Sequence, residues 1–305
     1  MILILISLLV VCITSITETS ESLTEKSLTV LTVLNLIPTP RIILDIGAHD
    51  GSWTKAMTSS SLFMKSKPFF IQIEANSDMT TSLSTTGHGY VNILLGDKDN
   101  VEIDYYKSKL DILSSSNSIY PDKTDTFRKY MNIEKMKMLT LDTLLSVLPG
   151  ADGVLMNTVS MDIVKIHTCG SELLILKGAT QMIIRDQPLI ILEVSLMPIH
   201  AGAPLFIDIH IYMESIGYVI ADIISETYLV SPTVNDEMEL TDDVDIVTYN
   251  GISFNQTIVG ENIPMQLKLM NLIFIPRDKL IFQNKYSWIN NNYTCIRTKK
   301  LANRN

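Results

Sequence analysis

Short apolar runs that end in an acidic residue or a glycine recur through the middle of the chain, and stretches with helical spacing separate them. The pattern predicts strands at 41–46, 69–74, 90–95, 161–167, 189–195, 218–224 and 267–275. It predicts helices at about 52–65, 77–86, 171–185 and 204–216. Strands that alternate with helices build a mostly parallel sheet covered on both faces. We therefore expect one doubly wound α/β domain.

The segments between these elements carry weaker patterns. Residues 101–106 alternate like an edge or hairpin strand, and a helix is predicted after Thr140, with Thr140 or Asp142 as its cap. Gly217 is predicted to end the helix at 204–216. The polar stretch 114–129 is interpreted as a loop over a ligand-binding mouth or, equally, as a spacer.

The chain divides by composition into a domain and its flanks. The predicted parts are a signal segment (1–16), a linker or leader (17–40), the domain (41–280) with an acidic surface excursion (226–262), and a polar tail (281–305). Residues 2–16 are almost purely apolar but short for a membrane span. They fit a signal peptide or a signal anchor, and the alternative is a buried N-terminal element.

Sequons at Asn255 and Asn292 are compatible with a secretory route. A secretory or membrane-anchored location is therefore expected, or a cytoplasmic one if residues 2–16 pack into the domain. The formal net charge of −9 argues against a nucleic-acid partner. The chain has three cysteines, and one of them lies in the apolar segment 2–16. This number excludes a disulfide scaffold, and the spacing offers no zinc site.

The first strand ends in a turn suited to a nucleotide. Asp45 lies at the end of the apolar run, and Gly47 and Gly51 allow the backbone to approach a ligand closely. The second predicted strand ends in Glu74, where doubly wound sheets place an acid that accepts hydrogen bonds from ribose hydroxyls. The two strands together predict a nucleoside-bearing cofactor.

Several segments, in order, resemble the FkbM family of methyltransferases. They are ILDIGAHDG (43–51), IEAN (73–76), LGDKD (95–99), TLDTLL (140–145), VKIHTCGSELLILKGA (164–179), ILEVS (191–195), GAPLF (202–206) and ESIGY (214–218). The resemblance covers roughly residues 41–277. It implies a Rossmann-like seven-stranded sheet, mostly parallel with an antiparallel last strand. It also implies a methyltransferase that uses S-adenosylmethionine, typically on oxygen atoms of small metabolites or sugars.

The resemblance assigns cofactor-binding roles to five residues. Asp45, Gly47 and Gly51 would form the loop around the amino-acid part of S-adenosylmethionine, Glu74 would hold the ribose, and Asp97 would approach the adenine. Each has a structural alternative: the glycines serve the turn, Asp45 caps the helix, and Asp97 is an ordinary turn acid.

The chain departs from the family at the end of its fourth strand. The family usually has Lys-Ile-Asp there, whereas this chain has a histidine, His167. His167 is a candidate general base but cannot hold a hard divalent cation as a carboxylate would, so no metal is expected. Glu172 is predicted to bind substrate or cap a helix, and Glu193, inside an apolar strand, to act in the active site or in a buried salt bridge.

Three functions follow from these residues. The first is S-adenosylmethionine-dependent O-methylation of a small-molecule, sugar or glycan acceptor. The second is a binding protein that keeps the fold and has lost the chemistry, suggested by His167. The third is a nicotinamide-dependent oxidoreductase, against which the turn at 47–52 lacks the G-x-G-x-x-G pattern.

Overall fold

The structure is a computed structural model. It describes residues 39–59, 63, 66–109, 117–121, 129–150, 153–195, 200–224, 246–249, 252–255, 269–281 and 293–296. The predicted signal segment and linker, most of the excursion and most of the tail lie outside these residues. Within the described part, no helix is long and apolar enough to cross a membrane.

The strands and helices follow the predicted alternation. The strands are β1 (Ile42–Ile46), β2 (Phe69–Glu74), β3 (Gly89–Asn92), β4 (Leu94–Leu95), β5 (Val101–Ser108), β6 (Met131–Leu139), β7 (Ile163–Ile166), β8 (Leu189–Ser195), β9 (Tyr218–Ile224), β10 (Ile246–Tyr249), β11 (Ile252–Asn255), β12 (Leu269–Pro276) and β13 (Tyr293–Ile296). The helices are α1 (Ser52–Ser59), α2 (Thr80–Ser84), α3 (Leu141–Val147), α4 (Glu172–Gly178), α5 (Thr180–Asp186), α6 (Phe206–Ser215) and α7 (Arg277–Ile281).

The main sheet has seven strands in the order β3-β2-β1-β7-β8-β12-β9. Neighbours from β3 to β8 pair in parallel, and β12 runs antiparallel to both β8 and β9. This confirms the Rossmann-like, doubly wound α/β fold with an antiparallel last strand. Chain order reverses on either side of β1, and the carboxyl ends of strands at such a reversal form the usual ligand crevice of α/β sheets.

Apolar residues of the central strands and of the covering helices form the core. Leu44, Ile46 and Ile166 from the sheet pack in one cluster with Leu176 and Phe206 from the helices, all at most 1% exposed. Because β1, β7 and β8 are buried on both faces, their apolar runs lack alternation, and this rigid centre carries the strand ends that bear the candidate site.

The predicted third strand is two short strands. β3 stays on the edge of the main sheet, whereas Leu94 and Leu95 form β4 in a second sheet of order β4-β6-β5. The predicted edge or hairpin strand at 101–106 is confirmed as β5, which pairs antiparallel with β6. β6 begins at Met131, inside a stretch that the sequence pattern left irregular.

The predicted helix at 171–185 is also two helices, α4 and α5, which meet at Ala179. Asp142 causes part of this break, because its carboxylate accepts hydrogen bonds from the backbone N–H groups of Gln181 and Met182 at 2.9 Å each. The cap of α3 is Thr140, whose hydroxyl accepts from the Thr143 amide. Gly217 has φ +84° and follows α6, as predicted.

Candidate functional site

A pocket opens at the carboxyl ends of β1, β2 and β7. The turns after these strands contribute Gly47 and His49, Glu74 and Ala75, and His167 to Cys169. Apolar residues 93–95 and Tyr105 line one side, and residues 117–119 line another. The described part of the predicted covering loop therefore does border the pocket. A polar group from each of three strand ends faces one largely apolar space, which is the usual make-up of a small-molecule site.

A buried ion pair stabilises the turn after β1. The register of β1 and β7 places Asp45 beside Lys165, and the Lys165 ammonium donates to the Asp45 carboxylate at 3.0 Å and to the Gly47 carbonyl at 2.9 Å. Thr54 in α1 donates to the other carboxylate oxygen of Asp45 at 2.7 Å. Asp45 is fully buried and does not line the pocket, so it shapes the turn from behind.

Gly47 is required by both its conformation and its surroundings. Its φ is +71°, and a Cβ there would lie 1.9 Å from the His167 carbonyl oxygen. Gly51 has φ +78° and faces β2, where a Cβ would come within 2.8 Å of Gln72 Oε1. Gly47 therefore borders the pocket, whereas Gly51 serves the packing of the turn.

Glu74 lies in the pocket with its carboxylate oriented by two backbone donors. The His49 amide donates to Oε2 and the Asn76 amide to Oε1, both at 2.8 Å, and the residue is 8% exposed. A carboxylate has about four lone-pair sites. Two therefore remain for a ligand, and the carboxylate is already fixed in position.

His167 lines the pocket and forms an ion pair with Glu193. The register of β7 and β8 pairs Ile166 with Leu192, so the next residue of each strand comes side by side. His167 Nε2 lies 2.7 Å from Glu193 Oε2, and the side chains are 31% and 8% exposed. The sequence left Glu193 open between an active-site role and a buried salt bridge, and the structure places it in a salt bridge with the candidate base.

The pair shifts both pKa values in the directions expected for opposite charges. Burial favours the neutral imidazole, but the charge and hydrogen bond of Glu193 outweigh it and raise the pKa of His167 above 6.5. Burial likewise acts to raise the pKa of Glu193, yet the charge of His167 lowers it below its ordinary value. With Glu193 accepting at Nε2, the neutral imidazole carries its lone pair on Nδ1.

The turn after His167 is fastened by Glu172. Its carboxylate accepts from the Thr168 amide at 2.8 Å, from the Thr168 hydroxyl at 3.2 Å and from the Gly170 amide at 2.9 Å. Glu172 is 4% exposed, does not line the pocket, and has a pKa raised by burial. These contacts are with the turn before α4, so both of its predicted roles, substrate binding and capping of the helix, stay predictions.

Asp97 is not among the residues that line the pocket. It is half-buried and follows β4, and its charge contributes with burial to a raised pKa at Tyr120. The described contacts therefore leave its predicted approach to adenine without support.

Comparison with known proteins agrees with this geometry. The model of the methyltransferase FkbM domain matches residues 45–220, more than half of the chain. The chain belongs to the FkbM methyltransferase family. A search of curated proteins finds no significant match.

The solved structures that the chain matches include methyltransferases. The methyltransferase FkbM from Methylobacillus flagellatus KT is 14% identical with a TM-score of 0.38, over 62% of this chain and 41% of that one. The precorrin-6y C5,15-methyltransferase from Geobacter metallireducens GS-15 is 12% identical with a TM-score of 0.33, over 81% and 86%. A TehB-like methyltransferase from Corynebacterium glutamicum is 10% identical with a TM-score of 0.34, over 85% and 99%. The chain thus spans 41% of the FkbM structure that it matches.

Three residues of this FkbM domain were not singled out from the sequence. Lys165 could have been, because a lysine inside an apolar strand needs a buried partner. His49 donates its amide to Glu74 and has φ +50°, and Ser118 lines the pocket from a distant segment. Neither has a sequence pattern that marks it.

Proposed function

We propose that this FkbM-family protein is an S-adenosylmethionine-dependent methyltransferase that methylates a hydroxyl of a small metabolite, sugar or glycan. The observation that carries the proposal is one pocket lined by both Glu74 and His167. Glu74 offers a fixed carboxylate suited to ribose hydroxyls, and His167, paired with Glu193, offers a base. O-methylation needs both a cofactor site and a proton acceptor.

The residues present fit the cofactor. Glu74 keeps unused lone pairs toward the pocket for the ribose hydroxyls. Ala75 and the apolar residues 93–95 offer a surface for a purine ring, and Gly47 borders the pocket at the turn where the amino-acid part would lie. When bound, S-adenosylmethionine supplies an activated methyl group.

The chain's own contribution to the reaction is orientation and proton transfer. In its neutral form His167 accepts the proton of the acceptor hydroxyl at Nδ1, while its Nε2–H donates to Glu193. The carboxylate of Glu193 then stabilises the imidazolium that results. The pair thereby does the work that a carboxylate at the end of this strand does elsewhere in the family.

Calorimetric titration of the full chain with S-adenosylhomocysteine and, separately, with NAD tests the cofactor assignment. Saturable heat with S-adenosylhomocysteine alone is expected, and saturable heat with NAD alone would overturn the proposal. Transfer of a labelled methyl group to a panel of sugars and metabolites tests the chemistry. A protein that binds the cofactor and methylates none of them, even with His167 neutral at high pH, would be a binding protein instead.

The proposed setting of the reaction rests on the sequence. A secretory or membrane-anchored location follows from residues 2–16, which lie outside the described residues, and it makes glycans the favoured acceptors. Endoglycosidase sensitivity of the protein from cells would support that location, and a mature protein with unmodified sequons that stays in the soluble cytosolic fraction would contradict it.

A further inference from the structure

A short segment, residues 117–121, contributes to the lining of the pocket and is fastened at both ends. The Asn117 carboxamide accepts from the Ser108 amide at 2.8 Å, and Ser118 exchanges backbone hydrogen bonds with Tyr106 at 2.7 and 3.1 Å. At its far end, the Pro121 carbonyl accepts from the Ala201 amide at 2.8 Å. The segment therefore links β5 to the turn at 200–203.

Among the described residues of this segment, Ser118 has a side chain that bonds to the turn after His167. Its hydroxyl donates to the Cys169 carbonyl at 2.7 Å and accepts from the Tyr120 amide at 3.0 Å. Ser118 is 2% exposed and lines the pocket. One buried hydroxyl thus connects the turn that follows His167 with the backbone of Tyr120.

The turn that Ser118 contacts needs support from outside. Cys169 has φ +51°, a left-handed conformation that costs energy in any residue but glycine. Glu172 fastens Thr168 and Gly170, the residues on either side, and Ser118 donates to the Cys169 carbonyl. Loss of the Ser118 bond would let this turn, and with it the imidazole of His167, move relative to Glu193.

The same hydroxyl places Tyr120 between two glycines. A Cβ at Gly170 would lie 3.3 Å from one edge of the Tyr120 ring, and one at Gly202 would lie 3.8 Å from the other edge. Both glycines have positive φ, +110° and +85°. The ring is thus packed between the turn that follows His167 and the turn at 200–203.

We propose that Ser118 is a positioning residue, whose hydroxyl holds the turn after His167 and Tyr120 in a fixed relation. This assignment rests on the proposed function, because it gives His167 the role of base. It goes beyond that function in naming a contact that keeps the base against Glu193.

The test is the pKa of His167 in the ligand-free full chain, from NMR titration of the five histidines, with a His167→Gln variant for assignment. The charged groups that act on His167 are Glu193, Lys165 and Glu172, and none is changed in the Ser118→Ala variant. A looser His167–Glu193 contact should lower the pKa of His167 by about half a unit or more. The Ser118→Thr variant keeps the hydroxyl and should keep the wild-type pKa.

Ser215→Ala is the matched control, because the Ser215 hydroxyl also donates to a backbone carbonyl, at 2.6 Å, but on the exposed face of α6. It should leave the pKa of His167 unchanged. An unchanged pKa in Ser118→Ala, or the same fall in Ser118→Thr, would overturn the assignment. Because no cofactor is added, this result is independent of S-adenosylhomocysteine binding, whose absence would overturn the proposed function instead.

Discussion

Replacing Glu193 with glutamine keeps the size of the side chain and removes its charge, and it should lower the pKa of His167. The wild-type carboxylate lies 2.7 Å from His167 Nε2 and opposes the effect of burial on the imidazole. A hydrogen bond to a charged group is worth about 1.5–3 kcal/mol, and one pKa unit corresponds to about 1.4 kcal/mol. Since the imidazole is 31% exposed, solvent screening favours the lower end, a fall of about one unit.

The stability of the variant should depend on pH in the corresponding direction. A histidine whose pKa is raised on folding stabilises the native state fully below its unfolded pKa, near 6.5, and this contribution disappears as pH rises through the folded pKa. The Glu193→Gln variant should therefore lose about 1.4 kcal/mol more of its unfolding free energy at pH 5.5 than at pH 9. Urea denaturation at the two pH values measures this difference.

The matched control is Glu214→Gln, because Glu214 pairs with Arg277 at 3.4 Å where both side chains are 56% exposed. It should leave the pKa of His167 unchanged. A pKa of His167 that stays the same or rises in Glu193→Gln would refute the ion-pair reasoning. So would a loss of stability that is larger at pH 9 than at pH 5.5.

Three further variants test the rest of the site. Gly47→Ala should lower the unfolding free energy by more than about 3 kcal/mol, because its Cβ would clash with the backbone. The control Gly87→Ala, at φ +78° with nothing within 4 Å of the added Cβ, should lower it by only about 1–2 kcal/mol. Equal losses in urea denaturation would contradict the role of the clash. Lys165→Met should lower the unfolding free energy by about 3–5 kcal/mol, because it leaves the buried Asp45 carboxylate without its ion-pair partner. The control Lys135→Met breaks the exposed pair with Asp104 and should change the urea midpoint little. A larger effect of Lys135→Met than of Lys165→Met would show that the buried pair is not needed. Glu74→Gln should weaken calorimetric binding of S-adenosylhomocysteine by about tenfold or more. It should also lower the melting temperature, because the amide nitrogen of glutamine cannot accept one of the two backbone hydrogen bonds that Glu74 accepts. Unaltered affinity would remove Glu74 from the ribose site.

The sequence predicts the sheet well where its strands are buried on both faces. β2 and β8 begin and end where the sequence predicts, because such strands need a continuous apolar run. β6 was not predicted over its length because most of its residues are exposed or half-buried and, of the nine, only Met138 is buried. The break at Ala179 was missed because it depends on a cap from Asp142, which lies about forty residues earlier in the chain.

Which side chains of the site pair across the sheet could not be predicted from the sequence. Glu74 and His167 could be picked out because each ends a strand, and strand ends meet at one edge of a parallel sheet. The pairing of Asp45 with Lys165, 120 residues apart, requires the strand order and the register, which residue patterns do not contain. The ion pair of His167 and Glu193 depends on the same two quantities.

A crystal structure of the full chain with S-adenosylhomocysteine tests the central claim most directly. The account predicts ribose hydroxyls on the Glu74 carboxylate and the ligand's sulfur on the side of the pocket formed by His167. A ligand bound elsewhere, or one in this pocket with its ribose away from Glu74 and its sulfur away from His167, would contradict it.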